Sequence, residues 1–131
     1  MKKVLVVEDD FVSRHLLLEM LKKHFDVCHM AVDGREAVDA FVRSLDEKSP
    51  YDLICLDIMM PVMDGQEALR EIRRIEQDRG IGGGDMVKVL MTTALDGAKD
   101  IMTAFMKGSC TGYLTKPYSK KKIDEYLEKL F

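Results

Sequence analysis

The sequence predicts a doubly wound α/β fold, in which helices cover both faces of an open sheet of five parallel strands. Short apolar runs alternate five times with segments whose apolar residues recur at helical spacing. Continuous apolar runs are expected of strands buried on both faces, and parallel neighbours need helical crossovers of one hand. The chain has 131 residues, too few for a closed barrel of eight strand-helix units. We therefore expect one domain spanning residues 1–131.

Each predicted strand is a short apolar run that ends at a turn or at a polar residue. The second run, for example, leads into the turn pair Asp33 and Gly34. Ligands of open parallel sheets bind beyond the carboxyl ends of the strands, so the residues after each run are the first candidates for a function. The runs are Val4 to Val7, Val27 to Ala31, Leu53 to Leu56, Val87 to Met91 and Gly112 to Leu114.

Each run is followed by residues that form an apolar stripe on one face of a helix. Asp10 stands just before the first stripe and is a suitable N-cap, because its carboxylate can accept a hydrogen bond from the first helical turn. We expect all five stripes to pack on the sheet. They contain Val12, Leu16, Leu17, Met20 and Leu21; Ala37, Val38, Phe41, Val42 and Leu45; Ala68, Leu69, Ile72 and Ile75; Ile101, Met102, Phe105 and Met106; and Ile123, Leu127, Leu130 and Phe131.

The composition is that of a soluble protein in a reducing compartment. Lys and Arg total 20 against 23 Asp and Glu, a net charge of -3 that argues against an extensive nucleic-acid-binding surface. Three cysteines without CxxC spacing lie in apolar runs and are expected to be reduced thiols. No apolar run approaches the roughly 20 residues that span a bilayer. We expect a cytoplasmic protein that binds neither nucleic acid nor membrane directly.

Polar or charged residues stand at the ends of four of the five predicted strands. Glu8 and Asp9 follow the first strand, Asp57 the third, Thr93 the fourth and Lys116 the fifth. Because parallel strands end at the same edge of a sheet, we expect these side chains to lie close together.

Three carboxylates in one partly dry cleft would repel one another, so the cluster needs positive charge nearby. Mg²⁺ suits it, because this ion binds a few carboxylate oxygens and keeps several waters. The ammonium of Lys116 would add a fixed charge. Taken singly, each residue also has an ordinary interpretation: Glu8 and Asp9 could cap the first helix, and Lys116 could be a surface lysine before the turn at Pro117.

Four segments carry a specific resemblance that covers nearly the whole chain. They are VEDD at Val7–Asp10, LDIMMPVMDG at Leu56–Gly65, TA at Thr93–Ala94 and GYLTKPY at Gly112–Tyr118. Together they resemble the receiver domains of two-component response regulators, in particular stand-alone regulators of the chemotaxis type. The resemblance implies a flavodoxin-like sheet of strand order 2-1-3-4-5 and an aspartyl phosphate at Asp57.

The resemblance also implies a metal site. Glu8, Asp9, Asp57 and the backbone carbonyl of Met59 would hold Mg²⁺, with Mn²⁺ as a substitute. The protein would be a phosphoacceptor switch that assists its own phosphorylation and dephosphorylation, rather than an enzyme. Met59 and Leu95 stand where family members vary the lifetime of the phosphorylated state, and because both are apolar we expect slow self-hydrolysis.

Thr93 and Tyr113 match the switch pair of the family. With Ala94, Lys116 and Pro117 they would form the phosphoryl-binding and switch site, in which Lys116 would bind phosphoryl oxygen. The implied donor is a phosphohistidine on a sensor histidine kinase or a histidine phosphotransfer protein. The implied output is a downstream protein bound to the face of the fourth helix, the fifth strand and the fifth helix. Only 15 residues follow Lys116, so we expect no output domain in this chain.

Two segments are not explained by the resemblance to receiver domains. Gly80–Asp85 lengthens the interval before the fourth strand and is expected to be a flexible loop, since a phosphate-binding loop would precede a helix. Lys120–Lys122 begin the last helix, where the helix dipole disfavours cations, which favours a role in recognition. The three histidines share no metal-ligand spacing.

Two functions from other classes remain as alternatives. A phosphatase of the haloacid dehalogenase type also uses an aspartate nucleophile and Mg²⁺, but it needs a second aspartate where this chain has Met59. A flavodoxin-like flavin binder needs a hydroxyl- or glycine-rich loop after the first strand, where Glu8, Asp9 and Asp10 would repel the flavin phosphate.

Overall fold

The computed structural model describes residues 2–94 and 110–131, and within them the chain forms a five-stranded sheet of order β2-β1-β3-β4-β5. Every neighbouring pair of these strands is parallel, so the predicted doubly wound architecture and the order 2-1-3-4-5 are both confirmed. The strands are β1 (Lys3–Val7), β2 (Val27–Ala31), β3 (Leu53–Asp57), β4 (Lys88–Thr93) and β5 (Gly112–Thr115).

Four α-helices lie in the described parts of the chain. Each begins after a side chain that accepts a hydrogen bond from the backbone of the first turn, and Asp10 performs this role for the first helix, as predicted. The predicted fourth helix, at Ile101 to Met106, lies outside the described residues. The helices are α1 (Phe11–Leu21), α2 (Gly34–Asp46), α3 (Gly65–Asp78) and the C-terminal helix (Lys120–Leu130).

The sheet separates two apolar cores, because successive side chains of a strand point to opposite faces. Val4 and Val6 of β1 pack with Leu17 of α1 and Ile123 of the C-terminal helix. Leu5 and Val7 of the same strand face the other core. That core is completed from α2 and α3 by Ala37, Val38, Phe41, Ala68, Leu69 and Ile72.

The predicted burial of the apolar stripe of α1 is wrong for the first turns of the helix. Leu17 and Leu21 are buried, but Val12 is 69% exposed and Leu16 is 44% exposed. Because α1 begins four residues after the end of β1, its first turn lies at the rim of the sheet, beyond the face on which Leu17 packs. The helix therefore presents apolar side chains to solvent beside the strand ends.

The carboxyl ends of three strands differ slightly from the prediction, and two of them carry candidate site residues. Asp57 and Thr93 are the last residues of β3 and β4 rather than the residues that follow them. Both side chains are buried as a result. The strand geometry thus orients each of them at the rim of the sheet.

The glycine-rich segment before β4 forms an exposed turn that contains a short 3₁₀ helix at Gly83–Asp85. The buried carboxylate of Glu76 holds the end of this segment: it accepts a hydrogen bond of 2.7 Å from the backbone N–H of Val87 and pairs with Arg73 at 2.6 Å. The glycine-rich segment that lengthens this interval therefore lies outside the two apolar cores. Among the helices described, none is both long enough and apolar enough to cross a membrane.

Candidate functional site

Three acidic side chains meet at the rim formed by the ends of β1 and β3. Carboxylate oxygens of Glu8, Asp9 and Asp57 all lie within 4.8 Å of one another. The register of the sheet explains this: β1 and β3 are neighbours with Val7 opposite Leu56, so the acids that follow these two residues are adjacent. Glu8 is 0% exposed and Asp57 is 3% exposed, whereas Asp9 faces solvent.

The ammonium of Lys116 lies between the two buried acids. Its Nζ is 2.8 Å from Oε1 of Glu8 and 3.3 Å from Oδ2 of Asp57. Partial burial favours the neutral amine, but the hydrogen bond to Glu8 and the charge of Asp57 outweigh it and raise the pKa of Lys116. The backbone N–H of Lys116 donates to the carbonyl of Thr93 at 2.7 Å, which holds the residue beside β4.

The electrostatic balance of the cluster suits a divalent cation. Burial raises the pKa of Glu8 from its ordinary value of 4.5 to about 7, although the hydrogen bond from Lys116 opposes this; the charge of Asp57 adds to the increase. Burial therefore outweighs the stabilisation that the ammonium of Lys116 gives to the Glu8 carboxylate. Carboxylate oxygens are the preferred ligands of Mg²⁺, and Asp9 leaves the cluster open to solvent on one side, so the donor set fits this ion.

The loop between β3 and α3 folds back over Asp57. The backbone N–H of Met59 donates to Oδ1 of Asp57 at 3.2 Å, and that of Gly65 donates to the carbonyl of Ile58 at 2.9 Å. A side chain at position 65 would collide with the backbone oxygen of Asp57, so only glycine permits this approach. The loop is also tied to α2, because the backbone N–H of Gly34 donates to its carbonyl at Met63. Met59 thus lies next to the acids, and its carbonyl remains a predicted metal ligand.

The predicted switch residues lie on β4, on β5 and directly after them. Thr93 is buried at the end of β4, one residue after Thr92, which pairs with Asp57 across the sheet. Tyr113 on β5 is 39% exposed. Ala94 and Pro117 are exposed at the same edge.

The structure adds residues to the site that the sequence did not reveal. The phenol of Tyr118 is buried, with its oxygen 3.5 Å from Oε2 of Glu8, and burial raises the pKa of this phenol. Arg14 donates to the backbone carbonyl of Glu8 at 2.8 Å. The position of Tyr118 just after the Lys-Pro pair was the available signal, but nothing local shows that its hydroxyl reaches the first strand.

The rim around the acids is apolar and exposed. Phe11 and Val12 lie at the start of α1, whereas Met59 and Val62 lie in the loop after β3; all four are more than half exposed. None of the three histidines belongs to the acidic cluster: His15 contacts Phe11, His24 contacts Asp124 and His29 contacts Tyr51.

Comparisons with known proteins agree with this geometry. Residues 4–128 match the family model described as response regulator receiver domain. The chemotaxis protein CheY of Halobacterium salinarum is 36% identical over 122 residues, which cover 93% of this chain and 90% of that protein.

Two solved structures are similar over nearly the whole chain. The receiver domain of Ssk1 from Saccharomyces cerevisiae, crystallised with the histidine phosphotransfer protein Ypd1, has a TM-score of 0.82 at 30% identity and covers 98% of this chain and 88% of that one. The receiver domain of the sensor histidine kinase PA1611 from Pseudomonas aeruginosa, with a magnesium ion in its active-site cleft, has a TM-score of 0.75 at 26% identity and covers 98% and 96%. The chain therefore belongs to the response regulator receiver family of two-component systems.

Proposed function

We propose that Asp57 accepts a phosphoryl group and that this modification switches the protein between signalling states. The observation that carries the proposal is the position of its carboxylate, which is buried at the end of β3, within 3.3 Å of the ammonium of Lys116 and beside two further acids. A carboxylate held in this way is a nucleophile with charge stabilisation already in place.

Glu8, Asp9 and Asp57, together with the backbone carbonyl of Met59, form the proposed site for Mg²⁺, and Mn²⁺ could substitute. A cation held there would offset negative charge on phosphoryl oxygens. The fit of the acidic donor set supports this assignment. The magnesium ion in the active-site cleft of the similar receiver domain of PA1611 also supports it.

The reaction is an in-line displacement at phosphorus. A carboxylate oxygen of Asp57 forms the new O–P bond, and the P–N bond to a histidine of the donor breaks. The electron pair of that bond returns to the imidazole nitrogen. Lys116, already within hydrogen-bonding distance of Asp57, turns toward a phosphoryl oxygen and stabilises its charge. Attack of water on the aspartyl phosphate reverses the modification, and the apolar side chain of Met59 favours slow hydrolysis.

The proposed donor is a phosphohistidine on a sensor histidine kinase or on a histidine phosphotransfer protein, and the proposed location is the cytoplasm. The exposed apolar residues Phe11, Val12, Met59 and Val62 support protein docking around the acids, because they surround the position where the two reacting side chains must meet. The complex of the similar Ssk1 receiver domain with Ypd1 is consistent with this type of donor.

The proposed output passes through Thr93 and Tyr113 to a downstream protein. The buried hydroxyl of Thr93 would bind the phosphoryl group, with Ala94 and Pro117 shaping the backbone on either side. The ring of Tyr113, which is partly exposed here, would then turn inward. The partner would bind the face that includes β5 and the first turn of the C-terminal helix, where Lys120–Lys122 are exposed.

Intact-protein mass spectrometry tests the central step. Incubation with a small acyl phosphate and Mg²⁺ should add one phosphoryl group to the wild type and none to Asp57→Asn, because an amide is a poor nucleophile. Asp78→Asn is the matched control, since Asp78 is an exposed carboxylate paired with Arg74 away from the site, and it should be labelled normally. Undiminished labelling of Asp57→Asn at neutral pH would contradict the proposal.

A further inference from the structure

The segment that follows β5 places a hydrogen-bond donor on each oxygen of the Glu8 carboxylate. The ammonium of Lys116 lies 2.8 Å from Oε1, and the phenol oxygen of Tyr118 lies 3.5 Å from Oε2. Glu8 is completely buried, and buried carboxylate oxygens need hydrogen-bond partners. A phenol can donate one hydrogen, so Tyr118 supplies the donor at Oε2.

We propose that Tyr118 is a positioning residue of the metal site: its hydroxyl holds the Glu8 carboxylate in the orientation that binds Mg²⁺. The inference rests on the proposed function, because it requires Glu8 to be a metal ligand. Hydrogen bonds to a ligand from residues behind it orient that ligand, and their loss weakens metal binding.

Lys116 cannot hold Glu8 throughout the proposed reaction. Its ammonium is shared with Asp57, and it is the group that turns toward the phosphoryl oxygens once Asp57 is modified. Glu8 then loses its donor at Oε1 while it stays buried. Tyr118 keeps its place, because its ring packs in the core between the sheet, α1 and the C-terminal helix.

The phenol of Tyr118 has two polar neighbours, the carboxylate of Glu8 and the hydroxyl of Thr92. The buried hydroxyl of Thr92 lies on the same face of the sheet and interacts with the phenol. A hydroxyl can donate as well as accept, so Thr92 can donate to the phenol oxygen while the phenol donates to Glu8. At 3.5 Å the phenol oxygen lies at the long end of hydrogen-bonding distance from Oε2, so we expect a weak hydrogen bond.

Titration calorimetry of the full chain with MgCl₂ tests the inference. Tyr118→Phe keeps the ring in the core and removes only the hydroxyl. We expect its dissociation constant for Mg²⁺ to rise about tenfold, the lower end of the usual range for such partners, because the hydrogen bond is long. Tyr51→Phe is the matched control: this buried phenol contacts His29 at 2.7 Å in the other core, and its removal should leave Mg²⁺ affinity unchanged.

A double-mutant cycle with Glu8→Gln separates positioning from a general loosening of the fold. When Glu8→Gln is already present, adding Tyr118→Phe should change Mg²⁺ affinity by less than about twofold, since the group that the phenol positions is gone. Wild-type affinity of Tyr118→Phe, or an undiminished effect beside Glu8→Gln, would overturn the role of Tyr118 and leave the metal site standing. Failure of the wild type to bind Mg²⁺ would overturn the proposed function as well.

Discussion

Lys116 Nζ lies 2.8 Å from Oε1 of Glu8, although 108 residues separate them in the chain. In the sheet, β3 and β4 lie between the strands that carry them, so the lysine side chain extends across the ends of both. On this path its ammonium also contacts Asp57. The lysine thus links the first and last strands through the acidic site. Its removal should therefore lower the stability of the fold as well as impair phosphorylation.

Lys116→Met should lower the free energy of unfolding of the metal-free protein. The methionine has a similar volume but leaves Glu8 buried without its hydrogen bond, which costs about 1–3 kcal/mol. Urea unfolding at neutral pH measures the change. Lys129→Met, at an exposed position of the C-terminal helix, is the control and should unfold like the wild type. Equal stability of Lys116→Met and wild type would contradict the prediction.

Mg²⁺ should raise the thermal midpoint without any phosphodonor, because a ligand that binds only the folded site stabilises it, by about 2.7 kcal/mol at one hundred times its dissociation constant. Asp9→Ala should reduce that increase, and its metal-free midpoint should equal or exceed that of the wild type, because repulsion among the acids is relieved. Asp39→Ala, an exposed acid on α2, is the control. If Mg²⁺ stabilises Asp9→Ala and wild type equally, the metal site is misplaced.

Thr93→Ala should separate modification from signalling. Labelling should survive, because Asp57 and Lys116 remain. The conformational response should weaken, because a charge-assisted hydrogen bond of about 1.5–3 kcal/mol shifts a two-state equilibrium by roughly tenfold to more than a hundredfold. The measurement is the NMR shift or amide-exchange change at Tyr113 and Lys120–Lys122 on adding beryllofluoride, a mimic of the phosphoryl group.

The control for this comparison is Ser44→Ala, which removes another buried hydroxyl, one that donates to the carbonyl of Phe41 within α2, away from β4 and β5. It should respond to beryllofluoride like the wild type. Equal responses of Thr93→Ala and wild type would exclude Thr93 as the relay and leave the movement of Lys116 as the next candidate.

Val62→Gly should stabilise the protein. Val62 has a φ of 68°, in the left-handed region that costs a non-glycine residue about 1–2 kcal/mol and is least suited to β-branched side chains. Glycine relieves this strain but loses part of the gain, about 0.5–1 kcal/mol, to backbone entropy. Urea unfolding should therefore show a net gain of a few tenths to about 1 kcal/mol.

Lys48 provides the comparison, because its φ of 58° lies in the same region but its side chain is not branched at Cβ. Lys48→Gly should gain less than Val62→Gly. Val32→Gly removes another exposed valine, which has no positive φ, and should destabilise. A loss of stability in Val62→Gly as large as that in Val32→Gly would show that the loop is not strained.

Local sequence patterns predicted the elements well because their causes are local. The second strand has the predicted bounds, Val27–Ala31, and the cap at Asp10 was expected from its carboxylate one residue before the helix. The burial of Val12 and Leu16 was predicted wrongly. Helical periodicity shows which residues share a face, but not how far the sheet extends beneath that face.

The sequence by itself determined that Glu8, Asp9, Asp57 and Lys116 meet at one rim, because parallel strands that alternate with helices end at the same edge. Only the tertiary structure decided that Lys116 is shared between two buried acids and that the phenol of Tyr118 reaches the first strand. Such contacts depend on how segments from distant strands converge and on which side-chain orientations the packed core allows. Neither the convergence of these segments nor the orientation of their side chains can be read from the spacing of residues along the chain.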